Sequence, residues 1–100
     1  MKLILLMHLE EDTSCVEELL AQQKITSFSR FPMEGHSSGT RGWYGEVAPY
    51  RAALVLVLLS EEAASGLLEA VEGCKAIEDS RHPIRAVQLD VDRVTECLCA

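Results

Sequence analysis

Two nearly continuous apolar runs, at residues 2–9 (KLILLMHL) and 51–59 (RAALVLVLL), constrain the fold more than any other feature. Each run is too short to cross a bilayer as a helix, and apolar residues at almost every position are typical of a central strand covered on both faces. A chain of 100 residues supplies one modest core, so both runs belong to a single domain spanning residues 1–100. We therefore predict a sheet built around these two strands.

Each apolar run is followed by a helix signal. Ser14 and Glu17 fit a capping box, and the apolar residues after them recur at helical spacing, which predicts a first helix over about 14–23. Ser60 is a candidate N-cap for a second helix that ends near Gly73 and carries two glutamates in its first turn. Both helices are predicted to be amphipathic, with one apolar stripe each.

Two further segments alternate between apolar and polar residues, at 25–33 (ITSFSRFPM) and 84–91 (IRAVQLDV). Both are predicted strands, and Pro32 places the first at a sheet edge. The resulting order, β-α-β-β-α-β, defines an α+β fold of the ferredoxin-like type, with a four-stranded antiparallel sheet and two helices on one face. Because the other face is left bare, we predict a homo-oligomer that packs sheet against sheet.

The segment 34–50 (EGHSSGTRGWYGEVAPY) is too long for an ordinary hairpin connection, and long loops of this kind are commonly functional. Its glycines, Gly35 among them, permit positive backbone angles and expose NH groups that an anion can use. Trp43 and Tyr44 follow, and rigid aromatic side chains are frequent at protein interfaces. The pair either contacts a partner or packs back onto the domain.

Several segments together resemble the PII-like signalling proteins: residues 14–28 (SCVEELLAQQKITSF), the glycine-bearing exit from the second strand, the long loop, and residues 50–73 (YRAALVLVLLSEEAASGLLEAVEG). The resemblance implies a homotrimer whose sheets face inward, with a nucleotide or another small ligand bound between subunits. It also implies that residues 34–50 are the T-loop, with Gly35 at its base. In that family the T-loop contacts a regulated partner, such as a membrane transporter or an enzyme.

The chain departs from the nucleotide-binding members of that family in three places. Residues 74–85 (CKAIEDSRHPIR) replace their glycine-rich phosphate-binding turn, and residues 94–100 (VTECLCA) replace a basic Arg-x-Arg. Residues 8–12 (HLEED) stand where a Lys-Pro-Phe is usual. These departures favour a divergent branch, some of whose members accompany heavy-metal efflux or bicarbonate uptake systems. The candidate effectors are an adenine nucleotide, bicarbonate or a divalent metal.

Three groups of residues are candidates for binding. Arg81, His82 and Arg85 lie where the family's phosphate-binding turn would be, and they could hold an anion. The loop contributes further candidate ligand-binding residues, namely Gly35, His36, Ser37, Ser38 and Arg41. Cys97 and Cys99, in a tail at 95–100 predicted to be flexible, could bind a soft metal together with His36, could form a redox pair, or could be unremarkable thiols.

Composition excludes several classes of function. A net charge of −7 and a pI near 4.8 argue against binding to nucleic acid or to an anionic membrane surface. No run is long enough for membrane insertion, and no cleavage site follows the N-terminal one, so we expect a cytoplasmic protein with free thiols.

No catalytic arrangement can be assigned from the spacing of the residues, so we do not expect an enzyme. Three other functions are consistent with the sequence. The first is a PII-like regulator that contacts a partner through residues 36–46. The alternative is a metal-binding or metal-tolerance trimer, similar in frame to the CutA family, that uses the tail Cys-x-Cys. A purely structural trimer is the third.

Overall fold

The computed structural model describes residues 1–36, 49–74 and 82–98. Its elements are β1 (Lys2–Leu9), a short 3-10 helix (Glu10–Asp12), α1 (Thr13–Gln22), β2 (Ser29–Gly35), β3 (Tyr50–Leu59), α2 (Glu61–Glu72) and β4 (Arg85–Asp90). The strands form one antiparallel sheet in the order β2-β3-β1-β4. The predicted α+β, ferredoxin-like βαββαβ architecture is confirmed. Within the described residues, neither helix is long and apolar enough to span a bilayer.

The hydrophobic core lies between the sheet and the two helices. Alternate side chains of the paired strands β1 and β3 point to this layer, because successive side chains of a strand face opposite sides. They meet the apolar stripes of α1 and α2 and a residue from the connection after α1. The buried cluster comprises Ile4, Leu6, Val16, Leu20, Ile25, Val55, Val57, Ala64 and Leu67.

The remaining side chains of the sheet form an apolar surface that the described helices do not cover, which we call the open face. At its centre the strand register pairs Leu5 with Leu56 and Leu3 with Leu58. Large apolar side chains are exposed on it, with Phe31 and Leu89 of the outer strands and Leu58 of β3 each 48% exposed, and Val87 37% exposed. The described residues of a single chain therefore cover β1 on one face only, and the predicted cover on the other face stays a prediction.

The first helix differs from the sequence prediction at its start. It begins at Thr13, and Asp12 at the N-cap makes no capping hydrogen bond with its side chain. The predicted capping box of Ser14 and Glu17 is therefore wrong. Glu17 instead accepts a hydrogen bond of 2.7 Å from Arg30, a tertiary contact that competes with the local one.

The end of α1 determines how the chain enters the core. Lys24 adopts a left-handed conformation with φ of 60° and donates from its NH to the Ala21 carbonyl at 2.9 Å. The NH of Ile25 reaches back to the Leu20 carbonyl, also at 2.9 Å, which completes a Schellman motif. This turn places Ile25, 7% exposed, in the core.

The second strand is shorter than predicted at its start and longer at its end. Ile25 and Phe28, which suggested strand alternation from residue 25, belong to the connection and pack on the core. The strand runs from Ser29 to Gly35 at the edge of the sheet, where Pro32 was expected.

The second helix begins as predicted, because the Ser60 hydroxyl accepts a hydrogen bond from the Ala63 NH at 3.2 Å, and Gly73 is its C-cap.

Candidate ligand-binding edge

Three connections of the chain meet at one end of the sheet, which we call the loop edge. β1 and β2 end there, and β3 and β4 begin there, as the pairs Leu9 with Ala52 and Gly35 with Tyr50 show. The connections are residues 10–12 between β1 and α1, residues 36–49 between β2 and β3, and residues 73–84 between α2 and β4. The antiparallel order therefore gathers the described members of the predicted ligand-binding set, Gly35, His36, His82 and Arg85, at this edge.

Gly35 faces Tyr50 across the strand pair at the loop edge. A Cβ atom added at Gly35 would overlap the Tyr50 ring, so the ring lies directly on the glycine backbone. Tyr50 is only 9% exposed and packs with Leu9, Ala52 and Met33. Gly35 lies in extended backbone within β2, so the glycine is required by this close approach of the ring and not by a positive backbone angle.

Charged side chains cover the outer part of the loop edge. His36 Nε2 lies 2.6 Å from Glu34 Oε2, with both side chains largely exposed. Arg51 Nε lies 2.9 Å from Glu10 Oε2 and joins the start of β3 to the 3-10 helix. Such exposed pairs contribute at most about 1 kcal/mol each, so their charges remain available to a ligand.

His82 links the α2–β4 connection to the 3-10 helix. Its Nδ1 lies 3.0 Å from Asp12 Oδ2 and 3.6 Å from Glu11 Oε1, and its side chain is 26% exposed. The contact joins residues 70 positions apart in the chain. The predicted anion-binding histidine is therefore held beside two carboxylates, whose negative charge opposes the binding of a polyanion at this point.

A shallow depression of about 340 Å³ opens beside the Gly35–Tyr50 pair. It carries both a carboxylate and a guanidinium group in its wall, next to apolar surface. Its lining residues are Pro32, Met33, Glu34, Pro49, Tyr50 and Arg51. The depression is wide open to solvent in a single chain, so a ligand bound there would need a further wall to be enclosed.

His8 is a fully buried histidine near the loop edge. Its Nδ1 donates a hydrogen bond of 2.7 Å to the Leu9 carbonyl, whereas its Nε2 has no hydrogen-bond partner. Buried polar side chains usually have all their polar atoms hydrogen-bonded, whereas only one of the two ring nitrogens of His8 is. Burial lowers the pKa of His8 below its ordinary value of 6.5, and the nearby charge of Arg30 acts in the same direction.

The lowered pKa of His8 predicts a loss of stability in acid. Below pH 6.5 the unfolded chain binds a proton at His8 that the folded chain does not, so the free energy of unfolding falls as the pH falls. Above pH 6.5 His8 is neutral in both states, and the effect vanishes. Urea unfolding between about pH 7 and pH 5 should give a steeper decline in the wild type than in His8→Leu.

The control for this acid effect is His36→Gln, which removes an exposed histidine from the same edge of the sheet. We expect this variant to keep the wild-type slope of unfolding free energy against pH. Equal slopes for His8→Leu and the wild type would contradict the assignment of the effect to His8.

The structure describes some of the predicted site residues and not others. Gly35, His36, His82 and Arg85 lie at the loop edge. Cys97 is exposed in a tail that leaves the sheet at the opposite end, where the Val91 NH donates to the Met1 carbonyl at 3.3 Å. Outside the described residues lie Ser37, Ser38, Arg41, Trp43, Tyr44, Arg81 and Cys99.

The described part of the chain contains no cluster of side chains that could serve as the alternative metal-binding site. In residues 1–36, 49–74 and 82–98, no group of three or more His, Cys, Asp or Glu side chains is arranged to hold an ion. Cys99, one of the two proposed tail ligands, lies outside these residues. The metal site stays a prediction from the sequence.

The sequence analysis missed two residues that organise the loop edge. Asp12 stands in the sequence as one of three consecutive acidic residues, and the structure pairs it with His82. Tyr50 was not singled out, although an aromatic residue at the start of β3 directly follows the glycine-rich segment. The pairing of Tyr50 with Gly35 depends on the register across a long connection, and the pairing of Asp12 with His82 joins residues 70 positions apart, so neither has a local signal.

The fold is that of the PII-like proteins. The structure of CPII, a nitrogen regulatory PII-like protein from Thiomonas intermedia K12 bound to ADP, AMP and bicarbonate, superposes with a TM-score of 0.62 over 94% of each chain, at 15% identity. A protein of Thermus thermophilus assigned to the PII-like signalling proteins superposes with a TM-score of 0.62 at 18% identity, over 90% of this chain and 85% of that one.

These likenesses concern the fold. No protein-family model matches the chain, and no curated protein matches it in sequence. The resemblance expected from residues 14–28 and 50–73 is confirmed at the level of the fold, over nearly the whole length of both proteins.

Proposed function

We propose that this chain is a divergent PII-like regulatory protein that binds a small effector at the loop edge and signals through the segment 34–50. The observation that carries the proposal is the match of fold over 94% of both chains to CPII, which has ADP, AMP and bicarbonate bound. The meeting of three connections at one edge supports it, since such an edge combines backbone groups with charged side chains. The proposal assigns the chain a regulatory and not a catalytic role.

The open face supports a homotrimer as the working unit. Four of its apolar side chains, Phe31, Leu58, Val87 and Leu89, are 37% to 48% exposed in a single chain, which is unfavourable for an isolated protein. Packing three such faces together would cover Leu5, Leu56 and their neighbours. It would also bring the loop edge of one subunit beside the next, and so supply the missing wall of the depression at Tyr50.

We infer that the effector is a small anion or a nucleotide of low charge. Arg85 at the start of β4 is a described source of positive charge, follows Arg81 in the sequence, and pairs in register with Met7 on the open face. The three acidic residues 10–12 oppose this charge from the neighbouring connection. Because like charges repel, we expect ATP to bind more weakly than AMP or bicarbonate.

Calorimetric titration with AMP, ADP, ATP, bicarbonate and divalent metals tests the proposed effector site. We expect at least one of these ligands to bind the wild type, and Arg85→Ala to weaken that binding by about tenfold, as is usual for loss of a charged hydrogen bond. Arg93→Ala is the matched control, because it removes the same charge beyond the far end of β4. Equal losses in both variants would show a nonspecific charge effect, and no binding by any ligand would reject the effector.

The coupling of the effector to the loop has its own readout. Trp43 is the one tryptophan in the sequence, so intrinsic fluorescence reports specifically on the segment proposed to contact a partner. We expect the effector to change the Trp43 emission at the concentrations at which it binds. Binding without a change in emission would remove the switching step and leave the binding site.

The proposed partner is a protein such as a membrane transporter or an enzyme, contacted through residues 36–46 with Trp43 and Tyr44 as anchors. This assignment rests on the position of the segment at the loop edge and on the low conformational cost of aromatic anchors. A location in the cytoplasm is part of the same proposal.

A further inference from the structure

Two cysteines that the proposed function does not use lie together on the helix layer. Cys15 is in the first turn of α1, and Cys74 follows directly after Gly73, the C-cap of α2. Both side chains are partly exposed, and Cys74 lies close enough to Cys15 to be one of the groups that raise the pKa of its thiol. Residues 59 positions apart are therefore adjacent in space, on the side of the sheet that carries the helices.

The packing of the helices explains this juxtaposition independently. Since α1 follows β1 and α2 follows β3, and these two strands are antiparallel, the two helices are antiparallel as well. They are also in contact, because a Cβ added at Gly66 in α2 would lie 3.2 Å from Gln23 Oε1, just after the end of α1. Cys15 lies eight residues before Gln23, and Cys74 eight residues after Gly66. At about 1.5 Å per residue, both steps cover about 12 Å along the helices in the same direction, and so end at the same level.

We propose that Cys15 and Cys74 form a reversible intramolecular disulfide by exchange with a small disulfide such as oxidised glutathione. One cysteine thiolate attacks a glutathione sulfur, which forms a mixed disulfide and releases one glutathione thiolate. The second cysteine thiolate then attacks the protein sulfur of the mixed disulfide, which closes the Cys15–Cys74 bond and releases the second glutathione. The two cysteines are oxidised, and the small disulfide is reduced to two thiols.

The position of this bond gives it a structural consequence. Cys15 follows the connection between β1 and α1, and Cys74 opens the connection between α2 and β4 that ends at His82. The cross-link would tie two of the three connections at the loop edge to one another. It lies on the helix layer, which stays outside when open faces pack together, so a small disulfide can reach it in the assembled protein.

The environment of Cys15 sets the conditions for the experiment. Burial, followed by the neighbouring Cys74 thiol and the carboxylates of Asp12 and Glu18, raises the pKa of Cys15. Since the thiolate is the attacking species, exchange is run at about pH 8.5, with reduced and oxidised glutathione in varied ratio. The protein is the full chain carrying Cys97→Ser and Cys99→Ser, which leaves Cys15 and Cys74 as its two thiols.

We expect the fraction of this variant carrying two free thiols to fall to zero as oxidised glutathione rises, with the loss of two hydrogen atoms in the intact mass. Peptide mapping should place the bond between Cys15 and Cys74 within one chain, and excess reduced glutathione should restore both thiols. Adding Cys74→Ser is the matched control, which retains one thiol and closes no bond. Its circular dichroism should match that of the parent.

Three results would overturn the proposal. The first is that both thiols remain free in pure oxidised glutathione while the protein stays folded. The second is a product that carries a separate glutathione on each cysteine. The third is a bond that joins two chains. None of these depends on effector binding, so failure here is distinct from failure of the proposed regulatory function.

Discussion

Replacing Leu56 by glutamate should dissociate the proposed trimer into single chains. Leu56 lies on the central strand β3, pairs with Leu5, and occupies the middle of the open face. In a single chain the new carboxylate would remain in contact with water, so folding is expected to survive. In a trimer the open faces bury each other, and three unpaired carboxylates would lose their hydration at once, which costs several kcal/mol per charge.

Sedimentation at micromolar concentration measures this outcome directly. We expect the wild type at three times 11.0 kDa and Leu56→Glu at 11.0 kDa. The matched control is Gln88→Glu, which adds the same charge at an exposed position of β4 whose register partner, Ile4, points into the core layer. This control should remain trimeric. A wild type that sediments as one chain would reject the trimer, and an intact Leu56→Glu trimer would place its interface elsewhere.

The second large effect is expected at Gly35. Gly35→Ala places a methyl group where the Tyr50 ring now lies, so either the ring leaves its pocket or β2 moves away from β3. Overpacking of this kind typically costs about 3 kcal/mol. In a chain of 100 residues such a loss corresponds to a fall in melting temperature of about 15 °C.

Gly73→Ala is the control for the glycine substitution itself. An added Cβ there would lie 3.4 Å from the Glu69 carbonyl oxygen, an ordinary contact, at a φ of −87° that alanine adopts freely. Its effect should stay below about 1 kcal/mol. Combining Gly35→Ala with Tyr50→Ala should cost less than the sum of the two single changes, because the methyl group then has space. Additive costs would contradict a steric role for Gly35.

The order of the elements was readable from the sequence because the signals that define it are local. Residues 2–9 and 51–59 are apolar at nearly every position, and this pattern fits central strands whatever surrounds them. The cap at Ser60 is also local, since the hydroxyl and the NH that it accepts from are three residues apart. Local rules of this kind predicted α2 within a residue at each end.

The errors arose where a distant residue overrides a local preference. Ile25 and Phe28 suggested a strand, but the left-handed turn at Lys24 directs them into the core from a connection. Glu17 fitted a capping box, but Arg30 binds its carboxylate. Neither competing contact can be derived from spacing, since each depends on how α1 lies beside the edge strand.

The sequence predicted where the candidate site lies, but not the contacts that its residues make. Gly35 was selected for its backbone freedom, whereas the structure requires it for the close approach of Tyr50. His82 was placed on an anion-binding connection, but its partner, Asp12, comes from the other end of the sequence. The roles of Trp43 and Tyr44 in partner contact remain predictions.

The hydrogen bond between Val91 and Met1 has a practical consequence for work on this protein. It brings the start of β1 and the end of β4 together at the end of the sheet opposite the loop edge. A fluorophore, affinity tag or fused domain attached before residue 1 would stand roughly 25 Å from the loop edge, since an eight-residue strand rises by about 3.3 Å per residue. Reporter groups can therefore be added there without obstructing the surface at which an effector or partner would arrive.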